Sequence, residues 1–111
     1  RVVNGHAYTP DATAVAEQTI AYAWRARYGA RKPWERSIPL SLEVTAFLAR
    51  PRGSKRLFPT VRPDGDNYLK LVQDSLNSLA FEDDAQIVTV RMEKRYDVVP
   101  RWEIRIAEVS E

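Results

Sequence analysis

The residues best suited to chemistry are acidic and fall in two groups. Asp64 and Asp66 flank Gly65 in the run Arg62-Pro63-Asp64-Gly65-Asp66-Asn67-Tyr68-Leu69-Lys70, and Asp83-Asp84 follow after one short apolar segment. Clustered carboxylates repel one another unless a cation neutralises them. Hard oxygen ligands of this kind suit a divalent ion such as Mg²⁺. A bound ion of that type supplies what phosphodiester hydrolysis needs: an activated water, a neutralised phosphate and help for the leaving oxygen. Lys70 lies one helical turn after Asp66, placed to pair with it, orient water or stabilise phosphate charge. Asn67 can bond a metal-bound water or cap the helix. The pattern points to a divalent-metal site acting on a phosphate ester.

Each of these residues also has a plainer use. Asp64 and Asp66 can cap a helix, Lys70 can form a simple i,i+4 pair with Asp66, and Asp83-Asp84 can make a turn. The combination favours a site over any single residue. Other chemistries are absent. Tyr68 stands where an EF-hand needs an oxygen ligand, and there is no glycine-rich phosphate loop. The chain has no cysteine and one histidine, His6, which excludes thiolate metal sites and leaves no basis for a zinc cluster or a Ser/His/Asp triad.

The elements that must position these groups follow from hydrophobic spacing. Tyr8-Thr9-Pro10-Asp11 reads as a helix start, with Thr9 as cap and Pro10 in the first turn. Val15, Ala16, Ile20, Ala23, Trp24 and Arg27 continue at helical spacing to a stop at Gly29. Ile38, Leu40, Leu42, Val44, Ala46 and Leu48 alternate with more polar residues and predict a long strand with one buried face. A basic loop runs from Arg50 to Arg62. The second helix, capped by Asp64 or Asp66, carries a stripe of Tyr68, Leu69, Val72, Leu76 and Leu79 over about four turns, ending near Ala80-Phe81. Ile87, Val88, Val90 and Met92 open a strand reaching about Tyr96. Trp102, Ile104 and Ile106 alternate along a last strand, and the short connection suggests that these two strands form an antiparallel hairpin. For the acidic groups to meet, the returning chain must carry Asp84 back alongside Asp64.

At 111 residues the chain is one domain with one core. No apolar run approaches the ~20 residues of a membrane span, and nothing resembles a signal peptide. A cytoplasmic setting fits the lack of cysteine. The net charge of +2 conceals a segregation: residues 64–84 hold six acids and one base, while the remainder holds sixteen Lys/Arg and nine Asp/Glu. A basic body around an acidic focus suits a polyanion bound beside a metal. Within the basic loop, Arg52, Lys55, Arg56 and Arg62 are the candidate contacts to a nucleic-acid backbone, Lys55 and Arg56 foremost. Trp24, Trp34 and Trp102 read as core or interface residues. Trp34, among Arg31, Lys32 and Arg36, is also a candidate for nucleic-acid or dimer contact.

The run Arg62–Lys70, then Val72-Gln73-Asp74-Ser75-Leu76-Asn77, then Phe81-Glu82-Asp83-Asp84-Ala85-Gln86-Ile87, resembles the RusA family of Holliday junction resolvases. Tyr8-Thr9-Pro10 and the basic strand after Ile87 fit as well, so the likeness covers nearly the whole chain. It implies a single α+β domain over residues 1–111, with a mixed, mainly antiparallel sheet and two helices packed on one face. It implies a Mg²⁺-dependent endonuclease (Mn²⁺ a possible substitute) acting as a homodimer on four-way junction DNA of bacterial or prophage origin. By the same likeness Asp64, Asp66 and Asp84 are metal carboxylates, Lys70 is the functional lysine, and Asp83 and Asp74 match commonly acidic positions. An N-terminal strand and basic loop that the family usually carries before the position of Val2-Val3 are expected to be missing. Two other functions compete: a non-catalytic branched-DNA binding protein, and a metal-dependent nucleotide phosphohydrolase.

Overall fold

In the computed structural model the described parts are the backbone of residues 2–4 and residues 13–111. Four strands and two helices appear in the order β1 (Val2–Asn4), α1 (Ala14–Tyr28), β2 (Leu40–Ala49), α2 (Gly65–Leu76), β3 (Ile87–Asp97) and β4 (Arg101–Glu108), with a single 3₁₀ turn at Asp84–Gln86 before β3. The sheet order is β1-β4-β2-β3. β4 runs antiparallel to both β1 and β2, whereas β3 runs parallel to β2. This is the expected mixed, mainly antiparallel α+β arrangement. The strand β1 adds a member that hydrophobic spacing did not reveal, because three residues are too short for a periodic signal.

Burial explains the strand order. β2 turns Leu40, Leu42, Val44, Ala46 and Leu48 to the core, all at most 8% exposed. β4 does the same with Trp102, Ile104 and Ile106. The two most apolar strands therefore pair with each other, Leu42 opposite Ile106 and Val44 opposite Ile104. β3, with Arg91, Glu93, Lys94 and Arg95, takes an edge, where charged side chains are tolerated. This overturns the expected β3–β4 hairpin: β2 lies between the two strands, and residues 98–100 pass across its end. Close spacing in sequence permits a hairpin but does not outweigh burial of the central strand.

The helices cover one face of the sheet. From α1, Ala16, Ile20 and Trp24 enter the core, while Val15, expected on the apolar stripe, is 71% exposed. The predicted start at Tyr8–Asp11 lies outside the described residues; the observed N-cap is Thr13, whose side chain accepts a bond from the Ala16 N–H at 3.3 Å. Gly29 closes α1 as expected, for a reason of space: a Cβ there would sit 2.5 Å from the Arg25 carbonyl oxygen. From α2, Tyr68, Leu71, Val72, Ser75 and Leu76 are buried, and Tyr68 meets Trp102 edge to face at 5.1 Å. α2 ends at Leu76, short of the expected Ala80-Phe81. Asn77 turns extended and Ser78 adopts φ 67°, so Leu79 and Phe81 reach the core from a turn.

Among the described residues, no helix covers the opposite face of the sheet. Its charges are matched in pairs: Glu93 with Arg91 and Arg95, Arg101 with Asp97 and Glu103, Arg105 with Glu43. The Arg101 guanidinium also lies 3.8 Å from the Phe47 ring centre. Its hydrogen bond, with that of the Val98 N–H, holds the Asp97 carboxyl below the usual carboxylate range.

Candidate active site

Asp64 occupies the N-cap position of α2, in extended conformation, and its carbonyl accepts bonds from the Asn67 and Tyr68 amides. Its carboxylate makes no capping bond. Lys94 of β3 anchors the entry to this turn: its Nζ donates to the carbonyls of Val61 at 2.5 Å and Pro63 at 2.9 Å. Gly65 lies so close to β3 that a Cβ on it would meet the Met92 Cγ at 3.4 Å. The basic loop before it is tied down again where the Tyr96 N–H donates to the Leu57 carbonyl. The Asp64 turn is thus fastened to the middle of β3.

Asp66 and Lys70 follow on the solvent side of α2, both exposed. The i,i+4 ion pair that would explain them structurally does not form, and among the described residues neither side chain has a hydrogen-bond or ionic partner. Lys70 borders a shallow groove between the two helices, lined by Glu17, Asn67, Leu71 and Asp74. Asp74 is exposed there, without a partner among the described residues.

The second acidic group divides its labour. The Asp83 carboxylate accepts the Ala85 N–H at 2.9 Å and the Gln86 side chain accepts the Asp83 N–H at 3.1 Å, a reciprocal capping box. Asp83 also lies 3.7 Å from Arg36, which reaches Glu82 on its other side. Gln86 is 6% exposed and donates to the Glu35 and Ile38 carbonyls, locking the turn onto the start of β2. Asp83 is therefore committed to holding the turn, whereas Asp84 is exposed and makes no such bond. Gln86 and Lys94 are positioning residues that sequence reasoning missed. The signal was available for Lys94, which breaks the alternation of Val90, Met92 and Tyr96 on the helix side of β3.

The two acidic groups do not meet within one protomer. Asp64 is level with Met92–Lys94, halfway along β3, and Asp84 lies before Ile87, where that strand starts. Five strand steps from Ile87 to Met92 correspond to about 16 Å, and the twelve residues of α2 to about 18 Å. Accordingly, among the described residues no three His, Cys, Asp or Glu side chains converge on a point that could hold a metal ion. Asp64, Asp66 and Asp84 of a single protomer do not fit one shared cation.

The remaining candidates divide as follows. Arg52, Lys55, Arg56 and Arg62 are all exposed on the loop between β2 and α2, beside the Asp64 turn. Trp34 is withdrawn as a nucleic-acid contact: it is 8% exposed, bonds Glu108 through Nε1 at 3.0 Å, and is covered by Arg31 at 4.3 Å. Trp24 and Trp102 are core residues, at 2% and 1% exposure. His6 lies outside the described residues.

Residues 1–107 match the family described as Endodeoxyribonuclease RusA. The chain belongs to the RusA family. It is 39% identical over 97 residues to a protein of Lactococcus phage r1t named crossover junction endodeoxyribonuclease rusA, covering 82% of this chain and 73% of the phage protein. It is also 39% identical over 84 residues to the uncharacterized protein YqaN of Bacillus subtilis strain 168, covering 65% of this chain. That match spans 59% of the length of YqaN. Among the described residues of this RusA-family chain, no helix is long and apolar enough to cross a membrane.

Proposed function

We propose that this chain is a structure-selective endonuclease that resolves four-way DNA junctions by paired, symmetric nicks, acting as a homodimer in the cytoplasm of a bacterium that carries it on its chromosome or in a prophage. The substrate class comes from the family and from the phage relative's name. The observation that carries the reading for this chain is that Asp64, Asp66, Lys70 and Asp84 are exposed and have no structural employment among the described residues, while neighbouring Asp83 has. Charged groups that a fold leaves unused, at the positions of a family motif, are available to substrate.

In this reading Asp64, Asp66 and Asp84 are the carboxylates for a divalent cation, Mg²⁺ or in its place Mn²⁺, which would supply charge neutralisation and an activated water when bound. Lys70 steadies negative charge on the phosphate. Arg52, Lys55, Arg56 and Arg62 hold the DNA backbone, which gives steep salt dependence and little sequence preference. Selectivity for four-way junctions then comes from the spacing of two sites related by a two-fold axis.

The dispersal of the carboxylates in one protomer favours a second reading, a branched-DNA binding protein without catalysis. One assay separates them. Wild-type protein is mixed with a labelled four-way junction and with linear duplex, with and without Mg²⁺. Paired nicks in the junction that require the cation support the resolvase; binding without nicks supports the second reading. The Asp84→Asn protein should bind the junction and leave it uncut. Full cleavage by that variant would remove Asp84 from the site.

A further inference from the structure

The loop between β2 and α2 carries more than its cations. Leu57, Phe58 and Val61 are 53%, 50% and 54% exposed, three large apolar side chains within five residues. Single exposed apolar residues are ordinary on a protein surface, whereas a cluster of them marks a contact. These three are also held in place. The buried Pro59 seats the loop between them. The Tyr96 N–H donates to the Leu57 carbonyl at 2.8 Å, and Lys94 holds the Val61 carbonyl. The Arg95 guanidinium lies 5.5 Å from the centre of the Phe58 ring. The fold thus fixes a half-exposed aromatic ring on a fastened loop, where burial against a partner is favourable.

The charges around these side chains define the partner. Lys55, Arg56 and Arg62 flank them in sequence, Arg95 lies beside Phe58, and no acid falls between residues 50 and 63. A second copy presenting the same loop would set cation against cation, and an apolar peptide would leave the cations unmatched. A nucleic acid with bases out of the stack answers both needs: its phosphates meet the cations and its base faces meet the ring. Unbroken duplex hides those faces, whereas stacking is interrupted at the crossover of a branched DNA. The location fits as well. Leu57 is bonded at Tyr96, and the Asp64 turn is level with Met92–Lys94, two to four strand residues away, or about 7–13 Å. At the ~3.4 Å rise of stacked bases, that is about two to four base steps.

Resting on the junction-nuclease reading above, we infer that Phe58 stacks on a base at the crossover of branched DNA. Leu57 and Val61 add apolar contact beside it, while Lys55, Arg56 and Arg62 hold the flanking phosphates. The loop then reads the branch itself. Its cations bind any DNA backbone, and its ring contributes only where a base face is open. Part of the preference for a branch over duplex is therefore carried by one side chain, a few base steps from the Asp64 turn. Because the ring is uncharged, its contact releases no counterion from the DNA.

Binding of labelled DNA in EDTA tests this apart from cleavage. Phe58→Ala should bind a four-way junction at least about fivefold more weakly than wild type, the scale of one base–aromatic stack, and should bind linear duplex as wild type does. The slope of log affinity against log salt should not change, because no phosphate contact is lost. Phe58→Tyr keeps the ring face and should bind as wild type. Phe58→Leu keeps apolar bulk alone and should behave as Phe58→Ala; it decides the matter where Phe58→Ala lowers stability. Equal losses on junction and duplex, no loss on either, or full junction binding by Phe58→Leu would overturn the inference. A change in the oligomeric state of Phe58→Ala in sedimentation would also overturn it, by making the patch a protein contact. A protein that shows the expected binding pattern but nicks no junction in Mg²⁺ would refute the nuclease reading and leave the stacking contact standing.

Discussion

Lys94→Met is the most direct test of how the Asp64 turn is held. The substitution keeps most of the aliphatic stem and removes the charged head, together with its bonds to the Val61 and Pro63 carbonyls at 2.5 and 2.9 Å. A hydrogen bond to a charged group is worth about 1.5–3 kcal/mol when well shielded. Lys94 is half-buried, and Val61 is exposed, so that its carbonyl can turn to water instead. This exposure discounts each bond below that range, and the two together contribute about 1–2 kcal/mol. For a domain of this size that is a fall in melting temperature of about 4–8 °C. Function should suffer more than stability. Lys94 joins the basic loop to the start of α2, so its loss frees both the arginines proposed to contact DNA and the Asp64 carboxylate. Thermal unfolding followed by circular dichroism, beside junction nicking at a temperature where both proteins are folded, gives the two quantities. A melting temperature within 1 °C of wild type (roughly a quarter of a kcal/mol or less), with unchanged nicking, would refute the anchoring role.

Other outcomes follow from the same structure. Lys55→Ala with Arg56→Ala should weaken junction binding and make the slope of log affinity against log salt shallower by about 2, one for each phosphate contact removed; a slope equal to wild type would take these side chains off the DNA. Ile104→Ala, at a site 1% exposed between the helices and the sheet, should cost about 2–5 kcal/mol in urea unfolding. Asp97 has a lowered pKa in the folded protein, chiefly from its bond with Arg101. Its contribution is therefore complete above the unfolded carboxylate value and is lost as pH falls through the lower folded value. Asp97→Asn should make stability fall less steeply on the acid side than in wild type, and acid titration of the two proteins side by side measures the difference.

The sequence was most legible where one period ran uninterrupted. The alternation from Leu40 to Leu48 and from Trp102 to Ile106 gave both central strands and their buried faces, because each side chain on one face is apolar and removed from water. β3 was found by composition, but its partner was misjudged. Pairing depends on which strand gains most from two neighbours, a comparison between strands that no local pattern contains. The end of α2 was misjudged for a related reason. Ala80 and Phe81 are buried and Leu79 is partly buried, yet they reach the core from a turn around Ser78, and burial alone does not distinguish a helix from a well-packed turn.

The site was legible as chemistry and not as geometry. Residue types and spacing proposed Asp64, Asp66, Lys70 and the Asp83-Asp84 pair, and the family resemblance put Asp84 before Asp83; the capping box occupies the Asp83 carboxylate and leaves that of Asp84 open. The expectation that the returning chain carries Asp84 back beside Asp64 rested on treating the connection as free. It is not free: Gln86 pins the turn to Glu35 and Ile38 at the start of β2, and Lys94 pins the Asp64 turn halfway along β3. With both ends fixed, the rise of a β-strand sets the separation, and no side-chain movement closes about 16 Å.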